Sequence, residues 1–209
     1  GSGSADAVVF TAASRTSVAG FELALGDGSA VQGSAGRIRA TAAAPGAGGI
    51  TVAGLLDVSA PGSADAGRIE LITAGATELA RSASLRGGSR TGMAGRLVLD
   101  TGTLAEDGGP TATLDALAGA LDQGGLHDSV SLRLRQGDLA LDSATLRAAR
   151  VTLSADQGQV RIAGQVDAQA PAGGQGQIFA GAGVQLNGRI DAHATRAGAN
   201  GGDVTLGSG

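Results

Sequence analysis

The phrase "VRIAGQVDAQA" at 160–170 returns 24 residues later as "VQLNGRIDAHA" at 184–194, with Gly164 and Gly188, and Asp167 and Asp191, in step. An earlier copy, "ITVAGLLDVSA", stands at 50–60. After each copy comes a run of small residues and then a second phrase: "AGRIEL" at 66–71, "QGQIFA" at 175–180 and "GGDVTL" at 201–206. That second phrase also stands alone as "AGRIRA" at 35–40 and "AGRLVL" at 94–99. A period of roughly 20 to 50 residues belongs to stacked architectures, in which each unit buries its apolar face on the next.

Within the units the apolar residues alternate over three to five positions: Ile69 and Leu71, Leu97 and Leu99, Val130, Leu132 and Leu134, Val151 and Leu153. Such alternation, bounded by Gly, Ser, Asp and Asn, predicts short strands. A unit of this size cannot fold alone. Ordering it costs about 1 to 2 kcal/mol per residue, whereas burying some six aliphatic side chains returns about 1.5 to 3 kcal/mol each. Stacked units share faces and hydrogen bonds. The chain is 42% hydrophobic but 1% aromatic, with no Trp or Tyr, so its core is aliphatic and thin.

These observations predict an all-β parallel β-helix, a solenoid that forms one domain over residues 1–209. Val160, Ile162, Val184, Leu186, Val204 and Leu206 are expected to stack inward, one layer on another, about 4.8 Å apart. Outward residues such as Arg68, Arg96 and Gln177 need only be soluble. Gly54, Gly164 and Gly188 are expected at corners, with Asp57, Asp167 and Asp191 starting the next face. One segment departs from the pattern: 111–126 sets Leu114, Leu117, Ala118 and Leu121 at helical spacing, after Pro110 and before Gly124 and Gly125. It predicts a short helix of two to three turns, packed on the side of the solenoid or bridging its coils.

The run from 114 to 170, "LDALAGALDQGGLHDSVSLRLRQGDLALDSATLRAARVTLSADQGQVRIAGQVDAQA", resembles the repeat region of filamentous-haemagglutinin-type exoproteins, the secreted partners of bacterial two-partner secretion systems. The shared progression is a leucine-rich helix, Val-x-Leu, Gly-Asp-Leu-x-Leu, Val-x-Leu-x-Ala and coils with an aliphatic residue before Asp-Ala. The resemblance implies a right-handed helix forming part of a longer extracellular rod, carried across an outer-membrane transporter and displayed or released at the bacterial surface. It implies an adhesive or structural stalk that meets a receptor or glycan on another cell, or the stalk of a contact-dependent toxin delivery protein. The family's secretion module, with motifs of the Asn-Pro-Asn type, is not seen here, so the resemblance places the chain as an internal or distal piece.

The residues offer little catalytic chemistry. A net charge of −4 gives no basic footprint for nucleic acid. All 15 basic residues are Arg, so no phosphate-cradling Walker motif can form. There is no Cys for thiolate ligation, and no apolar run approaches the ~18 residues of a membrane span. The Gly clusters, "PGAGG" at 45–49 among them, lack a strand-to-helix setting and read as turns. "HDS" at 127–129 places its side chains on alternating faces, which is no triad. Asp167 and Asp191 are the one weak metal candidate: stacked carboxylates repel unless paired, protonated or bridged by a cation. The competing reading has each Asp accept backbone N–H groups in a turn. The expectation is therefore no enzyme, no cofactor and no structural calcium. A polysaccharide-active enzyme is the distant alternative, disfavoured by the lack of Trp and Tyr sugar platforms.

Overall fold

In the computed structural model, which describes residues 7–42, 48–106 and 113–209, alternating side chains do form the strands. Residues 45–47 of the "PGAGG" turn, and 110–112 at the start of the expected helical segment, lie outside the described residues.

The described chain opens with β1 (Val8–Phe10) and β2 (Arg15–Ser17), followed by an antiparallel hairpin of β3 (Phe21–Ala24) and β4 (Ala30–Gly33). Strands then come in threes: β5 (Arg37–Ala42), β6 (Ile50–Val52), β7 (Leu55–Asp57); then β8 (Arg68–Thr73), β9 (Ala76–Leu79), β10 (Ser84–Arg86). The next group is β11 (Arg96–Thr101), β12 (Thr103–Glu106) and, where a third strand is due, helix α1 (Asp115–Gly124). The pattern resumes with β13 (Ser129–Leu134), β14 (Leu139–Leu141), β15 (Thr145–Arg147), then β16 (Arg150–Ala155), β17 (Gln159–Ile162), β18 (Gln165–Asp167). Last come β19 (Gln175–Ala180), β20 (Gly183–Leu186), β21 (Arg189–Asp191) and β22 (Asp203–Ser208).

Like members of each group pair in parallel. The first members form a seven-stranded sheet in the order β22-β19-β16-β13-β11-β8-β5. The second members form β1-β6-β9-β12 and β14-β17-β20, and the third members β10-β7-β2 and β15-β18-β21. The fold is therefore mostly β, built of parallel sheets with one helix. Within the seven-stranded sheet the return between layers is shortest from Ser129 to its partner Arg150 and longest from Arg96 to Ser129, the step that contains α1. The phrase that opens the analysis is in register: Val160 faces Val184, Ile162 faces Leu186 and Asp167 faces Asp191.

Parallel register turns sequence alternation into columns of like side chains. Leu97, Val130 and Val151 make one, Leu99, Leu132 and Leu153 the next, each residue at most 1% exposed. At about 1.5 to 3 kcal/mol per buried aliphatic side chain, these columns are the main source of stability. Val160 and Ile162 are fully buried, as expected. Their register mates differ: Val184 is partly buried, and Leu186, Val204 and Leu206 are 42%, 49% and 46% exposed. All three exposed residues lie on β20 and β22, the last strands of their sheets, so no further layer among the described residues covers them.

Two outward arginines are also more than solubilising. Arg68 lies 2.9 Å from Glu70, whose side chain is only 7% exposed and also has Arg37 and Arg39 within 4.0 Å. Arg96 pairs with Asp128, which Arg150 holds from the next layer at 2.8 Å. An acid lying on a flat sheet is covered by long cationic side chains from its neighbours, so these outward positions are coupled to one another.

Helix α1 forms because Leu117, Ala118 and Leu121 bury one stripe, and it ends because Gly125 adopts φ +72°, a left-handed cap open to glycine. It does bridge layers, and it does so inside the stack: α1 packs between β10 and β15, in the place of a strand. Two strand spacings of about 4.8 Å leave room for one helix about 10 Å across. Asp115 fastens its start, accepting the N–H groups of Asp142 and Ser143 at 2.9 and 3.0 Å and the Ser143 hydroxyl at 2.7 Å. Burial pushes the Asp115 pKa upward, but these hydrogen bonds together outweigh it and hold the carboxyl below its ordinary value.

Candidate functional site

The corners come first, because they position the acids. Gly54 joins β6 to β7, Gly164 joins β17 to β18, and Gly188 joins β20 to β21. None of the three needs a left-handed backbone. Each is required by close approach: a Cβ on Gly164 would sit 2.4 Å from the Ala144 carbonyl oxygen, and one on Gly188 2.0 Å from that of Gly164. At Gly54 the obstacle is the Ser14 hydroxyl at 2.3 Å. Corner glycines therefore let one layer sit on the last.

Asp57, Asp167 and Asp191 end β7, β18 and β21, which corrects the expectation that they start the next face. Their carboxylates reach forward to the backbone two residues on: Asp57 takes the Ser59 N–H at 2.9 Å, Asp167 that of Gln169 at 3.3 Å, Asp191 that of His193 at 3.2 Å. This is the turn role that competed with the metal reading. It stops each strand and aims the chain out of the sheet.

Asp167 and Asp191 do stack, as Cα partners of parallel strands. Their repulsion is relieved by partners the repeat phrase does not reveal. Arg147, one layer before Asp167, donates from Nε at 3.1 Å and also reaches Asp122 of α1 at 3.2 Å. Asp191 pairs with Arg189, has His193 Nδ1 at 2.7 Å, and has Gln169 Nε2 at 3.4 Å. The hydrogen bond from the His193 ring, then its backbone N–H and the Arg189 charge, hold the Asp191 carboxyl below the ordinary carboxylate range. The column Arg147, Asp167, Asp191 is thus a charge ladder closed by arginine and histidine. Among the described residues no group of three or more His, Cys, Asp or Glu could hold a metal ion.

Asp57 stands apart from that pair. Its register neighbours are Ser17 and Arg86, so the three acids of the repeat phrase do not form one row. The "HDS" side chains part company: His127 faces Asp122 at 3.2 Å, while Asp128 is clamped between Arg96 and Arg150. They do not converge on one point.

Sequence reading missed a cleft of about 640 Å³ beside α1, lined by Leu79, Arg81, Leu85, Leu117, Ala120 and Gln123 among others. The available signal was the helix itself, since a helix set among strands leaves an uneven seam. Comparison with protein-family models, with curated proteins and with solved structures finds no match for this chain.

Proposed function

We propose that the chain coils as a right-handed parallel β-helix and serves as a rigid structural and adhesive stalk segment of a secreted or surface-displayed bacterial exoprotein. The observation that carries this reading is the parallel register of the seven-stranded sheet, in which aliphatic columns run through successive layers and each layer adds length along one axis. Growth along one axis makes a spacer. The run 114–170, with its helix followed by Val-x-Leu and Gly-Asp-Leu-x-Leu phrases, adds the likeness to filamentous-haemagglutinin-type repeats. In this reading an outer-membrane transporter passes the chain outward unfolded, and stacking outside the cell draws it into shape, because a single layer is too small to fold alone.

The test is an immunoblot of intact source cells, with and without external protease, using antibody raised to this chain. The reading expects an antigen lost on protease treatment of intact cells. An antigen that survives in intact cells and is lost only after lysis overturns it.

A further inference from the structure

The cleft beside α1 does not end at the helix. A second hollow of about 220 Å³ shares Ala83, Leu85, Ala120 and Gln123 with it and adds Ser84 and Arg86. A third, of about 200 Å³, shares Ser84 and Arg86 and adds Ser14, Arg15 and Gly54. Together they form one trough that runs from the outer side of α1 across β10 to β7 and β2.

The two ends of the trough differ in chemistry. The α1 end has an aliphatic floor of Leu79, Leu85, Leu117 and Ala120, with Arg81, Thr113 and Gln123 also in its lining. The other end carries Arg15 and Arg86, both exposed and neither with an ion-pair partner among the described residues. Arginines elsewhere on the sheets are engaged: Arg68 with Glu70, Arg96 with Asp128, Arg133 with Asp156 and Arg147 with Asp167. The acid beside Arg86 in register is Asp57, and its Oδ1 is taken by the Ser59 hydroxyl at 2.6 Å and the Ser59 N–H at 2.9 Å. A chain of net charge −4 therefore keeps two uncommitted cations in one trough, next to a hollow of mixed lining with an aliphatic floor.

We propose that this trough binds an extended acidic peptide, with one aliphatic side chain in the cleft at α1 and carboxylates on Arg86 and Arg15. The spacing suits it. Arg15 lies two strands from its register mate Ser84, and Arg86 stands two residues further along, so at about 4.8 Å per strand and 3.3 Å per residue the two arginines are about 12 Å apart. Acidic residues three or four apart in an extended peptide, at about 3.3 Å per residue, span that distance, and guanidinium pairs well with carboxylate. An acidic polysaccharide carries no aliphatic group for the cleft.

The experiment is fluorescence anisotropy on the whole chain. The probe is a labelled peptide, acetyl-Gly-Leu-Ala-Glu-Ser-Ser-Glu-Gly-amide, compared with versions in which Leu becomes Gly or both Glu become Gln, and with oligogalacturonate as competitor. The proposal expects binding that weakens about tenfold with either altered peptide, since tenfold is what the loss of one good contact costs. Arg15→Gln and Arg86→Gln should each weaken it about threefold or more, with unchanged melts because neither side chain has a partner to lose. Gly119→Phe should block the leucine-dependent part without unfolding, because a Cβ there meets nothing within 4 Å. Three results overturn the proposal: no binding of the leucine peptide, binding indifferent to both arginine changes, or full competition by oligogalacturonate with a leucine-free peptide binding equally well.

Discussion

The middle of the stack and its C-terminal end are written in the same phrase and live in different environments. "VRI" at 160–162 lies on β17, between β14 and β20, and its Val160 and Ile162 are fully buried. "VQL" at 184–186 lies on β20, at a sheet edge, and Leu186 is 42% exposed. Likewise Leu153 is fully buried on β16, while Leu206, further along the same column, is 46% exposed on β22. Burial here belongs to having a layer on both sides. The sequence encodes the inward direction, and the neighbours decide whether inward means dry.

The strongest challenge to that comparison is a charge in the middle. Ile162→Asp is expected to abolish cooperative unfolding, because a carboxylate at a fully buried site has no partner and no route to water. A thermal melt equal to that of the unaltered chain would remove the inward assignment altogether. Next in size is a matched pair from one column. Leu153→Ala should cost about 2 to 5 kcal/mol, the usual range for a buried leucine, and Leu206→Ala less than about 1 kcal/mol, measured by urea denaturation of each. Equal losses would mean that the C-terminal strands are covered in solution.

The corner glycines give the next effect. Gly164→Ala forces a Cβ to within 2.4 Å of a carbonyl oxygen in the preceding layer, so a loss of stability is expected, about 1 to 3 kcal/mol as for overpacking. Gly119→Ala, where a Cβ meets nothing within 4 Å, should instead gain up to about 1 kcal/mol from helix propensity. Thr77→Val sharpens the picture of the core. The Thr77 side chain is buried with no hydrogen-bond partner for its hydroxyl among the described residues, whereas the Thr73 hydroxyl donates to the Ala42 carbonyl at 2.9 Å. Losing the unpaired hydroxyl should raise stability by about 1 kcal/mol, and a higher urea midpoint is the readout.

The smallest effect concerns acid. The pKa of Asp191 is lowered in the fold, so its pairing stabilises the chain above the ordinary value of 3.8, and that contribution is lost as pH falls through the lowered folded value. Asp191→Asn should therefore lower the melting temperature at neutral pH and remove part of the further fall seen on acidification below pH 3.8. An unchanged acid profile in the variant would show that His193 and Arg189 do not hold the carboxylate.

What could be read from the residues follows from which forces are local. Period-two alternation placed the strands, and the step from Gly164 to Gly188 gave the register that pairs Asp167 with Asp191. The helix was legible from its leucine spacing and glycine exit. Its place within the stack was not, since a vacancy for a helix exists only once β10 and β15 are set apart. The hairpin β3–β4 went unread although "FELALGDGSAVQG" alternates on both sides of a Gly-Asp-Gly turn, with Gly28 at φ +83° and Asp27 accepting the Ser29 N–H at 2.9 Å. The charge partners were the hardest. Arg147 and Asp167, or Arg39 and Glu70, are distant in the chain and meet only through register. For the same reason the trough at α1 joins residues from four separate stretches and leaves no motif.

Helix α1 also divides the molecule's ways of coming apart. Strand ladders open from an edge, each departure exposing the next strand, so loss of β22 would hand the edge to β19, and loss of β21 would hand it to β18. On the helix-bearing side that zipper has a stop. The ladder of α1 is internal to itself, and it meets β15 and β10 by packing and a few single hydrogen bonds, such as that from the Gly87 N–H to the Gly124 carbonyl at 2.8 Å, rather than by a shared ladder. Fraying that travels inward along these short strands must there change from unzipping a ladder to prising a packed helix loose, so α1 is a firebreak on its own side, while the seven-stranded ladder continues past it from β13 to β11.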